Sequence, residues 1–210
     1  MGKQAIYTLY RQEGLQLRSK RPRRRKMVQE RVKQAKVTRT DQTWAMDFVA
    51  DQLVNGNSIR MLTVIDIFTR EALAISVGRK LGAKDVVETL NQLVMRRGAP
   101  GSVCADNGAE FAGRLTDPWA YHHKVRLNFS RPGKPTDNGH VESFNGSLRD
   151  ECLNVHWFET LDEARRVIEA WRIDFKESRP HMAHKGVSPG EFARRYRDSE
   201  KAQGGSNAEN

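Results

Sequence analysis

Three carboxylates in this sequence have the type and setting to bind a divalent metal ion. Asp47 interrupts the apolar run WAMDFVAD, Asp106 ends GSVCAD directly before Asn-Gly, and Glu142 lies in HVESFNGSL after a loop. Clustered carboxylates repel one another unless a cation is present, and such hard oxygen ligands suit Mg²⁺ or Mn²⁺. Two such ions can activate an attacking oxygen and stabilise a leaving oxygen in a displacement at phosphorus.

Each carboxylate also has a structural interpretation. Asp106 before Asn-Gly can be a turn residue, Glu142 can favour a helix N-terminus, and Asp47 can be an outward-facing strand residue. From the residues alone, the metal-site and structural interpretations both stay open. The elements that carry the acids therefore decide whether they can meet.

Apolar periodicity predicts three antiparallel strands in the first half of the core. TWAMDFVAD alternates, with Asp47 on the face opposite Trp44, Met46 and Phe48. RMLTVIDIF and ALAISV are β-branched and apolar. The NGNS and TRE segments between these runs predict tight hairpin links.

Helices and strands follow in the second half. AKDVVETLNQLVMRRG predicts a helix, GSVCAD and VRLNFS predict two more strands, and EFAGRLTDPWAYHHK predicts a partly helical segment that Pro118 interrupts. HVESFNGSLRDECLN and TLDEARRVIEAWRIDFKES predict helices, the second starting with a capping box of Thr160 and Glu163. The order predicts an α/β fold, a five-stranded mixed sheet flanked by helices. If the first and fourth strands are neighbours, the three carboxylates converge at one sheet edge.

Positive charge is concentrated near the N-terminus. The chain carries a formal net charge of +10 and its sequence pI is about 9.9, which favours a polyanionic partner. Residues 1–40 hold 13 Lys and Arg but two acids, so they carry +11 and the remainder is nearly neutral. The dense run from Arg18 to Lys26 repels itself and predicts an extended segment, either a nucleic-acid contact or a solvated linker.

Composition argues against several other classes of protein. Cys104 and Cys152 have no CxxC partner, so neither a disulfide framework nor a zinc knuckle is indicated. No apolar run approaches the roughly 18 residues that a membrane span needs, and the start has no signal-peptide core. We expect a cytoplasmic protein with no membrane partner.

Several motifs resemble one known family. WAMDF, CADNGAEF and RPGKPTDNGHVESFNGSLRDECLN resemble the catalytic core of insertion-sequence transposases encoded by two overlapping reading frames, which is similar to the retroviral integrase core. Thirty-five residues separate Asp106 from Glu142, the spacing that this family shows. The resemblance covers roughly residues 40–193 and includes VIDIFTREALA and RPHMAHKGVSPGEF.

The resemblance implies an RNase H-like fold and a DDE-type polynucleotidyl transferase. Asp47, Asp106 and Glu142 match the catalytic acidic triad, and Mg²⁺ is implied as the cofactor, with two ions expected and Mn²⁺ as a substitute. The implied reaction is DNA strand cleavage followed by transfer of the freed 3′-hydroxyl to another phosphodiester. Expected partners are insertion-sequence ends and target DNA, the upstream reading-frame product or a frameshifted fusion with it, and further copies of the chain.

Ten further residues are expected DNA contacts. Some belong to the basic arm, and the others match positions that surround the triad or share the helical face of Glu142. They are Arg23, Arg24, Arg25, Lys26, Asn107, Lys134, Asn138, His140, Asn145 and Arg149.

Two departures from the family pattern keep other functions open. Phe175-Lys176 stands where the family often has Tyr-Asn, and the N-terminus begins partway into the family's helical, DNA-associated region. The alternative to an enzyme is a truncated, non-catalytic DNA-binding or regulatory fragment, and a third possibility is a general nuclease of the same fold. We expect a basic N-terminal arm with a remnant helix at 1–40, a catalytic core at 41–195, and a disordered tail at 196–210.

Overall fold

The structure is a computed structural model that describes residues 37–108, 110–111, 113–130 and 138–205. These residues belong to one compact unit, Lys36–Asn210. The predicted remnant helix and the basic run of the N-terminal arm lie outside the described residues. Within the described part of the chain, no helix combines the length and apolar character that crossing a membrane requires.

Five strands form one mixed sheet: β1 Thr43–Gln52, β2 Ser58–Asp66, β3 Ala72–Gly78, β4 Ser102–Ala105 and β5 Arg126–Phe129. Their order is β3-β2-β1-β4-β5. The first three strands pair antiparallel, while β4 pairs parallel with both β1 and β5. The predicted mixed sheet is confirmed, and its first and fourth strands are neighbours.

Two tight turns join the antiparallel strands where the sequence predicted hairpins. Gly56 between β1 and β2 has φ +79°, and its N–H donates to the carbonyl of Leu53 at 2.8 Å. Between β2 and β3, Arg70 has φ +59°, and its N–H donates to the carbonyl of Asp66 at 2.9 Å. A left-handed conformation is uncommon for a residue with a side chain, so this second turn is held by its surroundings.

Among the described residues, five α-helices flank the sheet: α1 Ala83–Arg97, α2 Thr116–His123, α3 Gly139–Leu148, α4 Leu161–Glu177 and α5 Pro189–Gly205. A π-helical turn, Arg149–Leu153, extends α3, and a 3₁₀ turn, Met182–His184, precedes α5. Pro118 lies in the first turn of α2. Its missing N–H costs no helical hydrogen bond there, so the prediction that Pro118 interrupts the helix was wrong.

At the start of α4, one of the two hydrogen bonds of the predicted capping box is present. The Thr160 hydroxyl accepts a hydrogen bond from the Glu163 N–H at 3.1 Å. The Glu163 carboxylate accepts from the N–H of Glu159 at 2.8 Å, one residue before the predicted partner. The helix start is therefore fixed from both sides.

The sheet separates two layers of buried apolar side chains. Trp44 and Met46 pack with residues of α1 and α2 on one face. Ala45 and Val49 pack with residues of α3 and α4 on the other. The alternation along β1 predicted burial only for the face of Trp44 and Met46. The opposite face, which carries Asp47, is also covered by helices, so Asp47 lies in a more apolar setting than the sequence pattern indicated.

A buried group of charged side chains surrounds the β2–β3 turn. Glu71 is 1% exposed; its carboxylate accepts from Arg97 at 2.9 Å and from Arg197 at 3.2 Å. Asp66 is fully buried, and its carboxylate accepts from the N–H groups of Thr69 and Asp41, each at 2.7 Å. We call the following residues the ion-pair cluster: Asp41, Asp66, Glu71, Arg97, Lys176 and Arg197.

The last helix packs on the same turn. The Tyr196 ring lies 4.8 Å from that of Phe68, and its hydroxyl donates to the Thr38 carbonyl at 3.1 Å. Together with the Arg197–Glu71 pair, these contacts hold α5 in place beyond residue 195. The predicted disordered tail at 196–210 therefore differs from the structure, which is helical through Gly205; residues 206–210 lie outside the described residues.

Candidate active site

Asp47 lies within β1, half-buried, on the face that α3 covers. Burial raises the pKa of its carboxyl above the ordinary value, and the negative charges of Asp106 and Glu142 raise it further. Hydrogen bonds from Phe48 and Asn145 oppose this shift. The three acids carried by β1, the end of β4 and α3 therefore interact electrostatically.

Asp106 comes directly after β4 and is exposed. Parallel pairing matches Ala45 of β1 with Cys104 of β4, so the chain leaves β4 beside Asp47. One carboxylate oxygen of Asp106 accepts from the Gly108 N–H at 2.9 Å, which makes a tight Asx turn. The sheet register thus brings two of the predicted acids to the same edge.

Glu142 lies exposed in the first turn of α3. Asn145, one turn later on the same helical face, donates from Nδ2 to Asp47 Oδ2 at 2.9 Å. Its Oδ1 accepts from the Thr63 hydroxyl of β2 at 2.9 Å. Buried Val141 is among the residues that hold the opposite face of the helix in the core. Glu142 is therefore presented toward the edge where Asp47 lies.

The acids offer the right atoms for a hard divalent cation. Carboxylate oxygens are the ligands that Mg²⁺ and Mn²⁺ prefer, and mutual repulsion among the three is what a cation relieves. Within the described part of the chain, no three His, Cys, Asp or Glu side chains form a group that could hold a metal ion as they stand. Asp47, Asp106 and Glu142 are the residues whose chemistry fits such an ion.

Two predicted DNA contacts are engaged with the protein backbone around the acids. Asn107 donates from Nδ2 to the Ser130 carbonyl at 2.7 Å, which ties the loop after β4 to the end of β5. Asn138 is 6% exposed and donates from Nδ2 to the Met46 carbonyl at 3.4 Å. Its Oδ1 is buried without a hydrogen-bond partner among the described residues.

The other predicted contacts divide into exposed residues on α3 and residues that are not described. Exposed His140 lies in the first turn of α3, where desolvation and the charge of Arg70 lower its pKa. Exposed Arg149 follows α3 and donates to the Ala50 carbonyl at 3.3 Å. Five predicted contacts lie outside the described residues: Arg23, Arg24, Arg25, Lys26 and Lys134.

Sequence reasoning missed Arg60, a residue of β2 that contacts the loop after Asp106. Its guanidinium pairs with Glu110 at 2.5 Å and lies 3.7 Å from the centre of the Phe48 ring. Phe48 in turn stacks on Phe111 at 4.8 Å. Arg60 and Glu110 are 50 positions apart, and no local pattern in the sequence could have paired them.

Comparison with known protein families gives two overlapping matches. Residues 37–135 and residues 123–189 each match a family described as Integrase core domain. Together the two matches include all three acids. They also include the whole five-stranded sheet and helices α1 to α4.

Curated relatives share much of the chain. It is 46% identical over 192 residues to the "Insertion element IS407 uncharacterized 31.7 kDa protein" of Burkholderia multivorans, covering 91% of this chain and 69% of that one. The chain is 43% identical over 192 residues to the "Insertion element IS476 uncharacterized 39.2 kDa protein" of Xanthomonas euvesicatoria, and the match covers 91% of this chain and 55% of that one. The "Putative transposase InsK for insertion sequence element IS150" of Escherichia coli is 26% identical over 160 residues, and the match covers 75% of this chain and 56% of that one.

Solved structures share the fold. The "HTLV-2 integrase catalytic core domain in complex with magnesium (trimeric form)" superposes with a TM-score of 0.57 at 16% identity. The match covers 73% of this chain and 96% of that one. It confirms the expected RNase H-like fold with a five-stranded mixed sheet flanked by helices.

Proposed function

The chain belongs to the insertion-sequence transposases that carry a retroviral-integrase-like core, and we propose that it catalyses metal-dependent DNA strand cleavage and 3′-hydroxyl strand transfer. The observation that carries the proposal is the 2.9 Å hydrogen bond from Asn145 to Asp47. It docks α3 on β1 and presents Glu142 to the edge that Asp47 shares with Asp106. The chain spans 69% and 55% of the first two relatives, so the activity of the whole protein is part of the proposal.

Each residue of the site has a distinct role in the proposed reaction. Asp47, Asp106 and Glu142 would hold Mg²⁺, or Mn²⁺ in its place, with two ions expected from the chemistry of displacement at phosphorus. When bound, the metal supplies an activated oxygen nucleophile and stabilises the leaving oxygen of the phosphodiester. Asn145 fixes the orientation of the Asp47 carboxylate. Exposed His140, in the first turn of α3, and exposed Arg149, directly after α3, would contact DNA phosphates.

The proposed partners follow from the same chemistry. The substrates are the ends of an insertion sequence and a target DNA, and the N-terminal basic arm adds affinity that is independent of sequence and falls with salt. We further propose that the upstream reading-frame product, or a frameshifted fusion with it, and additional copies of the chain complete the active assembly. Such an assembly would act at the bacterial nucleoid.

A strand-transfer assay tests the proposal. Purified protein, with and without the upstream product, is mixed with Mn²⁺ and DNA that carries the element's ends. The unchanged chain and Asp150→Asn, a matched control at an exposed aspartate, should both yield transfer product. Asp106→Asn should yield none while still binding DNA in a gel-shift experiment.

Other outcomes would support the rival functions. Product from Asp106→Asn at the level of the unchanged chain would contradict the role of the acids. Binding without any product, even with the upstream product present, would favour the non-catalytic fragment. Equal cleavage of random DNA and of the element's ends would favour a general nuclease.

A further inference from the structure

A side-chain clamp connects the strand of Asp47 with the loop that follows Asp106. Arg60 reaches from β2 to Glu110 at 2.5 Å, and its guanidinium lies over the ring of Phe48 at 3.7 Å. Phe48 is the residue directly after Asp47, and its ring stacks on buried Phe111. We call Arg60, Phe48, Glu110 and Phe111 the Arg60 clamp.

The Arg60 clamp acts on a loop that is tightly turned around Gly108. A Cβ added at Gly108 would lie 2.9 Å from Asp106 Oδ1 and 3.1 Å from Glu110 Oε2. The two carboxylates therefore border the same glycine, and the negative charge of Glu110 would push against that of Asp106. The Arg60 guanidinium pairs with the Glu110 carboxylate, and this hydrogen bond lowers the pKa of Glu110. The charge of Glu110 beside Asp106 is therefore compensated by Arg60.

The opposite side of the loop has its own anchor. Asn107 donates to the Ser130 carbonyl at 2.7 Å, which holds the first residue after Asp106 to the end of β5. The Phe111 N–H donates to the Gly108 carbonyl at 3.0 Å. The Thr116 hydroxyl of α2 also donates to the Phe111 carbonyl at 2.7 Å. Arg60 and Phe48 add the contacts that connect the loop to β2 and β1.

We propose that Arg60 is a positioning residue that fixes the Asp106 carboxylate relative to Asp47 and thereby sets the affinity of the acids for a divalent cation. Arg60 acts through Glu110 and Phe48 and does not itself touch the metal or DNA. The inference rests on the proposed function, because it assumes that these acids hold the cation. It adds a residue to that site which the acidic motifs do not contain.

Metal binding without DNA provides the first test. Mn²⁺ binding is measured by titration calorimetry on the unchanged chain, Arg60→Gln, Glu110→Gln and their double variant. Loss of a partner that orients a metal ligand typically weakens metal affinity by about tenfold or more, and we expect each single variant to show this loss. Because the pair acts as one unit, the double variant should be no weaker than either single variant. Arg126→Gln, at an exposed arginine of β5, should bind like the unchanged chain.

Backbone amide exchange provides a readout that does not require a bound metal. The N–H groups of Gly108 and Phe111 should exchange faster in Arg60→Gln and Glu110→Gln than in the unchanged chain. The backbone amides that pair β1 with β2 should exchange at the same rate in all of these chains. Arg60→Lys keeps the positive charge but loses the planar guanidinium, so its Gly108 and Phe111 amides should exchange at rates between those of the unchanged chain and of Arg60→Gln. If Arg60→Gln fails to fold, Arg60→Lys takes its place in both measurements.

The outcomes separate this inference from the proposed function. Unchanged Mn²⁺ affinity and unchanged amide exchange in Arg60→Gln and Arg60→Lys would overturn the positioning role. Equal Mn²⁺ binding by the unchanged chain and by Asp106→Asn would overturn the metal role of the acids instead. In that case the exchange measurement alone decides whether Arg60 holds the loop.

Discussion

The ion-pair cluster and the candidate active site each contain three carboxylates, but the protein compensates them differently. In the ion-pair cluster, Glu71 is buried and accepts hydrogen bonds from two arginines, and Asp66 is surrounded by N–H donors. In the active site, Asp106 and Glu142 are exposed. No Lys or Arg among the described residues forms an ion pair with any of the three acids there.

The difference separates a role in stability from a role in binding. A buried carboxylate with complete partners holds the fold together, and removing it leaves its cations buried without an acceptor. Acids that repel one another cost stability in the free protein but are ready for a cation from solution. At the active site, burial is the main cause that raises the pKa of Asp47, and the charges of Asp106 and Glu142 add to it.

The largest effect should come from the ion-pair cluster. Glu71→Gln removes the charge that Arg97 and Arg197 share, and breaking a buried ion pair in this way costs about 3 kcal/mol or more. Urea denaturation measures the loss in unfolding free energy. The matched variant Glu88→Gln, at an exposed residue of α1, should stay within about 0.5 kcal/mol of the unchanged chain. If Glu71→Gln lost no more unfolding free energy than Glu88→Gln, the ion-pair cluster would have no special role in stability.

Divalent cations should stabilise only chains with an intact active site. At roughly ten times its dissociation constant, Mg²⁺ raises the unfolding free energy by about 1.4 kcal/mol if it binds only the folded chain. The gain should be present in Glu71→Gln, because the ion-pair cluster is not the metal site. Thermal unfolding with and without Mg²⁺ checks this, and a full gain in Asp106→Asn would contradict it.

A smaller effect should appear when the half-buried charge of Asp47 is removed, which burial disfavours first and the neighbouring acids disfavour further. Its pKa in the folded chain is raised above the ordinary value of 3.8, so its favourable contribution is complete below 3.8 and is lost as pH rises through the raised value. Without divalent ions, Asp47→Asn should therefore be more stable than the unchanged chain near neutral pH. The advantage should shrink to nothing as pH falls toward 3.8. Asp66 also has a raised pKa but is present in both chains, so it cancels in a comparison of urea midpoints.

The smallest effect should come from Lys176, one of the two departures from the family pattern. Its Nζ lies 3.6 Å from Glu71 and its side chain is 28% exposed, while two arginines already satisfy the same carboxylate. Lys176→Met should cost less than about 1 kcal/mol in urea denaturation. A loss as large as that of Glu71→Gln would show that the cluster depends on all of its members equally.

The predicted fold agrees closely with the structure because the relevant signals are local. Alternation in TWAMDFVAD, the NGNS turn and the helical spacing of AKDVVETLNQLVMRRG depend on neighbours in the sequence. Pro118 was misjudged because a proline in a first helical turn and one in a helix interior look alike until the helix start is known. The continuation of α5 past residue 195 depends on contacts with Phe68 and Thr38, which a scan of composition does not contain.

The sequence predicts the acids of the candidate site, and that role stays a prediction. It did not predict the residues that support those acids. Asp106 and Glu142 were singled out because their motifs and spacing resemble a known family. Arg60 pairs with a residue 50 positions away, and Glu71 pairs with one 126 positions away. The signal that could have indicated the ion-pair cluster was Asp66, a carboxylate inside the apolar run VIDIF, because a buried acid requires partners.

The anchoring of α3 by both polar and apolar residues has a consequence for the history of such genes. Asn145 connects α3 to Asp47, but the helix is also anchored by three buried apolar residues, Val141, Phe144 and Leu148. We expect a gene copy that has lost Asn145 to encode a chain that still folds. Under the proposed function, such a copy would encode a well-folded chain that has lost strand transfer, and assays of expression or solubility would not detect the loss.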